Sequence, residues 1–483
     1  MFTKAVRIAL PVATALTGML LVAYKAWLLD VTNDEAYSFY IVKHFWLSEA
    51  LCTGNTHWLN SGAILLAGIF NATNPIALRW LSVLSYAVLL LIFIRQLRHF
   101  GLFVVMFLLV MAAFHPYVLD YFSMARGYAP GIALQAAALV WFYTRANSRA
   151  GSFLSLCTAA ASVVANYSFI YFFVPFCMLY IYQNYLSNKD VLRSAIWLIA
   201  DVLLMLVTIG GCIMNYRYIM HCSGDVTGAG SPQLSAALEW YWKGALYESV
   251  NYSRAVAKIY SMVMLTIFTA SAFYGIMFRK KHGNRMFLNV SLICCGMLFM
   301  VIAVAVFLNG TFPAYRSALF FHIPFVMCFG FSVYYVFWKT GSSKGVLVAI
   351  LGGIWLSGII CYHPKWVYDY PGTADASACF DSLQYMHARH VGLCPELYGS
   401  FRNYYSEASQ NKYTFESEWL NANRASGWRE QNRDLSRFDY IVVIPPLDLS
   451  YYNSQRSIKR VCSFSESKAI IYRVTPEHRG SAQ

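Results

Sequence analysis

Apolar runs of about 20 residues recur along most of this chain, and no other feature constrains its fold as strongly. As a helix, a run of that length matches the hydrocarbon thickness of a bilayer and satisfies its own backbone groups. Spans are expected near 6–29, 75–94, 102–118, 127–144, 152–166, 168–186, 194–214, 259–277, 287–308, 317–338 and 345–362. A composition 58% hydrophobic and 12% charged, with mean hydropathy +0.47, excludes a soluble globular chain. The first run, Val6 to Leu29, outlasts a secretory signal core and holds Ala13 and Ala15 within it, so it reads as an uncleaved signal anchor.

A net charge of +14 invites a nucleic-acid reading until the positions of the charges are considered. Six very short connections or ends hold fourteen of the 37 Lys and Arg, among them Arg95, Arg98, Arg145, Arg149, Lys189, Arg193, Arg279, Lys280, Lys281, Lys339 and Lys344. The alternate, much longer connections carry only Lys43, Arg126, Arg217, Lys243, Arg254, Lys258 and Arg316. Short basic loops mark the cytoplasmic side, so the N-terminus is expected inside and the long loops outside. Eleven spans then leave the tail from about residue 363 outside. The basic excess is topology, and nucleic acid is not an expected partner.

Residues 57–70, "HWLNSGAILLAGIF", are apolar but too short to cross. Residues 34–49 place Tyr37, Ile41 and Phe45 on one helical face. The first outer loop is therefore expected to hold two juxtamembrane helices. The loop 215–258 opens on the Gly- and Ser-rich "CSGDVTGAGSP", and "QLSAALEWYWKGALYESV" then reads as a surface helix. Beyond His363 the chain turns polar. A helix is expected over 375–390, and strands at "DYIVVIP" (439–445) and "AIIYRV" (469–474).

The expected architecture is thus an all-α polytopic membrane domain, residues 1–362, with outer loops 30–74, 115–127, 215–258 and 309–316. About 11 transmembrane helices are joined by juxtamembrane helices, and a small extracytoplasmic α/β domain follows at 363–483. Cys157, Cys177, Cys294, Cys295 and Cys328 fall inside spans as packing residues. Cys379, Cys394 and Cys462 fall in the outer tail, where a disulfide is chemically allowed.

Polar residues on the outer side are the candidates for chemistry. Asp34 and Glu35 open the first surface helix: they read either as helix-start acids, with Asn33 or Asp34 as the cap, or as a general base beside a lipid head group. His57 and Asn60 open the second short helix, as caps or as a wall contacting a polar head group. The segment "HPYVLDYFSMARGYAPG" (115–131) holds His115, Asp120, Arg126 and Tyr128. Arg126 suits bidentate phosphate contact, or a structural pair with Asp120. Arg316 is the basic residue of its outer loop, either a snorkelling anchor or a ligand for the same anion. Asp201, inside the seventh span nearer the cytoplasmic end, reads as structural or paired. The N-x-S/T sequons at Asn71, Asn166, Asn251 and Asn309 are given no weight.

The order of these pieces is informative: one span, "DEAYS" opening an outer helix, "NTHWLN" opening a second, "NPIALRWLSVL" starting the next span, then "DYFSMARGYAPG". It resembles the membrane glycosyltransferases of the C-type superfamily (GT-C), especially those related to protein O-mannosyltransferases and lipid A aminoarabinose transferases. The resemblance covers residues 1–185, is one of topology beyond, and is silent about most of the tail. It implies transfer of a sugar from a polyprenyl-phosphate carrier to a lipid, glycan or protein acceptor, at the non-cytoplasmic face of a bacterial inner membrane. It implies inversion by single displacement, with Asp34 as base and Glu35 as its neighbour or substitute. Arg126 and Arg316 would hold the leaving phosphate, with His57, Asn60, Asp120 and Tyr128 as substrate contacts. No D-x-D pair occurs in the membrane-domain loops, so no cofactor is expected and metal-independent transfer is favoured, with a divalent cation shared by Asp34 and Asp120 as the alternative. Two other functions fit many spans with outer loops. A flippase of lipid-linked sugars would place polar groups near mid-membrane, often in repeated halves. A polysaccharide polymerase or ligase would use basic residues of the mid-chain loop, such as Arg217, His221 and Arg254.

Overall fold

The computed structural model describes residues 4–44, 57–70, 74–145, 148–186, 195–223, 230–231, 254–278, 284–307, 312–313, 315–338, scattered positions between 345 and 367, 373–405, 416–419, 438–444 and 458–474. Its contacts divide the chain into two units, one of Met1–Tyr24, Ser48–Ala63 and Arg79–Tyr362, the other of Lys25–Leu47, Ile64–Leu78 and His363–Gln483.

The first unit is helical, as its apolar runs dictate. Five described helices are long and apolar enough to cross a membrane: Arg7–Leu28, Tyr167–Leu186, Ile196–Ile219, Arg285–Phe307 and Arg316–Val336. A sixth span arises if the bent pair His99–Ala113 and Pro116–Phe122 counts as one. The chain is therefore a multi-pass membrane protein. The expected count of eleven stands as five or six by this measure, because helices such as Trp80–Arg95 and Arg149–Ala165 are shorter than 18 residues. Half of the expected last span, 345–362, lies outside the described residues. The helix Trp58–Ile69 has 12 residues, short of a span as the sequence indicated.

Small residues bring helices close where no hydrophobic force between them operates. Ala129, Ala133, Ala136 and Ala137 of Tyr128–Thr144 are buried, as are Gly151, Ser152, Ser155, Ala159 and Ser162 of Arg149–Ala165, the helix that packs most closely on it. Asp201 is fully buried and takes an ion pair from Arg149 and a hydrogen bond from the Tyr185 hydroxyl. The Arg149 guanidinium also lies 4.8 Å from the Tyr185 ring centroid. The paired reading of Asp201 is the observed one.

Two expectations need correction here. The run 102–118 is not one straight helix: it loosens into a π-helix at Leu109–Ala113 and then turns by 70°. Carbonyls freed at the break are capped from other helices, Ala113 by the Tyr86 hydroxyl at 3.0 Å and Ala112 by His322 Nε2 at 3.0 Å. The helix Ala195–Ser223 continues through Asn215 to Ser223, into the stretch expected as the loop 215–258. The Gly–Ser part of that stretch contributes strand β1 (Gly230–Ser231), paired antiparallel with β2 (Phe312–Pro313), and the surface helix expected over 233–250 lies outside the described residues.

The second unit holds a five-stranded sheet of β3 (His390–Leu393), β4 (Glu416–Trp419), β5 (Tyr440–Val443), β6 (Ile458–Ser463) and β7 (Ile470–Val474), in the order β4-β3-β5-β7-β6. β3 pairs parallel with β4 and β5, and β7 pairs antiparallel with β5 and β6. All four residues of β5 are buried. Alternation along it sends Tyr440 and Val442 into a core with Phe380, Leu383 and Ile471, and Ile441 and Val443 into a second with Phe438 and Val474. The helix expected over 375–390 runs from Ala376 to Tyr385. Cys379, Cys394 and Cys462 are free thiols.

Candidate functional site

The sequence candidates fall in both units, and each set is built by its own local chemistry. In the second unit the chain leaves the first helix at Leu28 and enters the helix Asn33–Lys43 through a capping box. The cap is Thr32, not the expected Asn33 or Asp34. Its hydroxyl accepts from the Glu35 N–H, while Glu35 Oε2 accepts from the Thr32 N–H at 3.0 Å and hydroxyl at 3.1 Å. Glu35 is buried and turned back on its own helix start, and Asp34, one residue earlier, is half-buried in the first turn. Of the surface helix expected over 34–49, residues 45–49 lie outside the described residues.

In the first unit three segments converge: residues 57–60, 121–128 and 165–168. Asn60 Nδ2 donates to the Ala125 carbonyl at 2.7 Å, which fixes its amide so that the buried Oδ1 is an acceptor with no donor among the described residues. The His57 ring meets Tyr128 edge-on with centroids 5.4 Å apart, and Tyr128 meets Tyr121 at 4.8 Å. Gly127 passes beneath His57: a Cβ there would collide with the Ala165 carbonyl and stand 2.7 Å from His57 Cβ. Only glycine allows that approach. Its neighbour Arg126 is fully buried, so an obligate cation is held within this packed corner.

Asn166 sets the tautomer of His57. Its Oδ1 accepts from the Ser168 N–H at 2.9 Å and hydroxyl at 2.8 Å, so its Nδ2 must be the group facing His57 Nδ1 at 3.4 Å. Nδ1 then accepts, and the proton of neutral His57 resides on Nε2. Sequence reasoning gave Asn166 no weight because it read the residue as a sequon. The available signal was its place at a helix end before "YSF", where an Asn side chain caps the next turn.

Asp120 is buried in the short helix Pro116–Phe122 that precedes this corner. Arg316 is half-buried on the 3-10 helix Tyr315–Phe321, a segment tied to Tyr128–Thr144 by Gln135 Nε2 donating to the Phe320 carbonyl at 2.7 Å. The structure therefore unites His57, Asn60, Arg126 and Tyr128 within one packed corner. Asp120 and Arg316 belong to flanking elements of the same unit. Among the described residues no three His, Cys, Asp or Glu side chains gather in metal-binding range.

No protein-family model and no curated protein matches the chain in sequence. Structural comparison does find similar folds. ArnT from Cupriavidus metallidurans, in a crystal structure bound to undecaprenyl phosphate, superposes with a TM-score of 0.53 at 10% identity, over 98% of this chain and 99% of that one. The apo-state structure of the same protein aligns with a TM-score of 0.42 at 12% identity, over 97% and 99%. The likeness is one of fold: over nearly its whole length this chain is similar in architecture to ArnT.

Proposed function

We propose that this protein is a glycosyltransferase that moves a sugar from a polyprenyl-phosphate donor to a hydroxyl or amine of its acceptor, at the non-cytoplasmic membrane face and with inversion. The observation that carries the reading is the end-to-end likeness to a transferase fold whose crystal structure holds undecaprenyl phosphate. Asp34 takes the proton of the acceptor as that atom attacks the anomeric carbon, and the bond from that carbon to the phosphate oxygen breaks. The lipid phosphate departs as an anion and needs no protonating acid. Arg126 and Arg316 stabilise its charge. The Nε2–H of His57 suits an anionic oxygen, the Asn60 Oδ1 suits a sugar hydroxyl, Tyr128 frames the same corner, and Asp120 is a substrate contact from the flanking helix. Between the adjacent acids, the Thr32 bonds of Glu35 favour Asp34 as base.

The test is transfer from a panel of radiolabelled polyprenyl-phosphate sugars to membrane extracts, comparing wild type with Asp34→Asn. The expected result is label transfer by wild type and its loss in a variant that remains folded in the membrane. Normal transfer by Asp34→Asn removes the assignment. Orientation has its own test. Alkaline phosphatase fused after residue 483 should be active, and the same enzyme fused after Arg98 should be silent.

A further inference from the structure

The helix that carries Asp34 belongs, by its contacts, to the same unit as a domain whose sequence begins more than 300 residues later. The attachment is concentrated on the residues immediately before Asp34. Asp30 Oδ2 accepts from the Ser377 N–H at 3.1 Å, at the start of the helix Ala376–Tyr385. The Val31 N–H donates to the Tyr405 hydroxyl at 3.4 Å, and the Val31 carbonyl accepts from the Ser400 hydroxyl at 2.8 Å. Asn33 Oδ1 accepts from the Ser400 N–H at 2.8 Å and shares the Ser400 hydroxyl proton at 3.0 Å. Further along the helix, Phe39 meets Tyr404 edge-on at 5.3 Å.

Burial gives these bonds weight. Val31, Thr32 and Ser400 are each 0% exposed, so water cannot replace a lost partner. Gly399 permits the approach, since a Cβ there would stand 3.0 Å from Asn33 Oδ1. Residues 30, 31 and 33 are thus fixed from the C-terminal domain, and Thr32 is closed onto Glu35. Asp34 follows with no intervening residue in which to absorb a displacement.

A general base works only when held to within a fraction of an ångström of the proton that it removes. We infer that Asn33 and Ser400 are positioning residues for the Asp34 carboxylate, and that the C-terminal domain is the mount that aims it. This inference rests on the reading of Asp34 as base given above. It assigns the tail a part in the rate of transfer, beyond any hold on acceptor or membrane.

The experiment uses full-length protein in lipid nanodiscs, with kcat per folded enzyme and KM measured for a polyprenyl-phosphate sugar donor. Asn33→Ala and Ser400→Ala are each expected to lower kcat about 10-fold with donor KM unchanged. The double variant should be slower than either single but by less than the product of the two losses, because the changes share the bond from the Ser400 hydroxyl to Asn33 Oδ1 while each also removes one of its own. Ser382→Ala, which loses only a bond to the Ala378 carbonyl on an exposed face of the same domain, should retain wild-type kcat. Should Ser400→Ala fail to fold, Asn33→Ala carries the test, since that side chain is half-exposed. Both singles within twofold of wild-type kcat, or losses confined to the yield of folded protein, overturn the inference. Asp34→Asn, assayed in parallel, separates the two ideas. If it stays active, the base reading fails. If it is dead while both singles are fully active, only the positioning role fails.

Discussion

Glu35 and Thr32 close the first turn of the helix Asn33–Lys43 on each other, with Glu35 Oε2 receiving both the N–H and the hydroxyl of Thr32. Two adjacent carboxylates that look interchangeable in sequence therefore have different employment. Glu35→Gln keeps an acceptor and should leave thermal stability nearly unchanged, whereas Glu35→Ala should cost about 1 kcal/mol through the lost cap. Neither should approach the loss of kcat, about 100-fold or more, expected of Asp34→Asn. Thermal denaturation and transfer rates on the three variants check this ordering. A larger rate loss in Glu35→Gln than in Asp34→Asn would reverse the roles.

Gly127→Ala puts a methyl against the Ala165 carbonyl and His57, two groups that cannot both retreat. Overpacking of this kind costs about 1–3 kcal/mol. Because Arg126 and Tyr128 flank the glycine, transfer should fall more steeply than stability. Parallel measurement of melting temperature and donor KM distinguishes a displaced site from a merely weakened fold: KM should rise.

The pair of buried Asp201 and half-buried Arg149 should respond asymmetrically. Asp201→Ala leaves a cation largely out of water without its partner and is expected to destabilise by about 3–5 kcal/mol. The double change Arg149→Met with Asp201→Leu should recover most of that loss, because no unpaired charge then remains. Denaturation of the purified variants in one detergent provides the comparison.

In the C-terminal domain, burial pushes the Cys379 thiol well above its ordinary pKa, with Cys394, Cys462, Asp375 and Asp30 adding to the shift. A raised thiol pKa keeps the reactive thiolate scarce as pH climbs. Iodoacetamide at pH 8 should therefore modify Cys462, half-buried beside an open cleft with Tyr385 and Val461, and spare Cys379 and Cys394 until denaturant is added. Peptide mass spectrometry reads the order, and early labelling of Cys379 would contradict it.

What the sequence showed and what it hid divide along physical lines. Apolar length made the membrane class legible, and short runs rich in Ile and Val made β5 and β7 legible. The same local chemistry marked His57, Asn60, Arg126 and Tyr128, which the fold gathers into one corner. The break after Ala113 was invisible because "FLLVMAAF" reads as continuous span, and the groups that cap its carbonyls, Tyr86 and His322, are remote in sequence. The cap at Thr32 was missed because Thr, Asn and Asp in succession all suit that role, and the Glu35 side chain decides among them. Asn166 and Ser400 were hidden for a similar reason, since each acts on a residue more than 100 positions away.

The bond between Asn33 and Ser400 also has a consequence in time. The two residues are 367 positions apart, so a ribosome adding roughly 5–20 residues per second finishes the second about 20–70 s after the first. Throughout that interval the Asp34 helix has left the ribosome without its seat. The most N-terminal of the proposed reacting groups is then among the last to be put in place, and a chain cut short before residue 400 would carry its base unaimed.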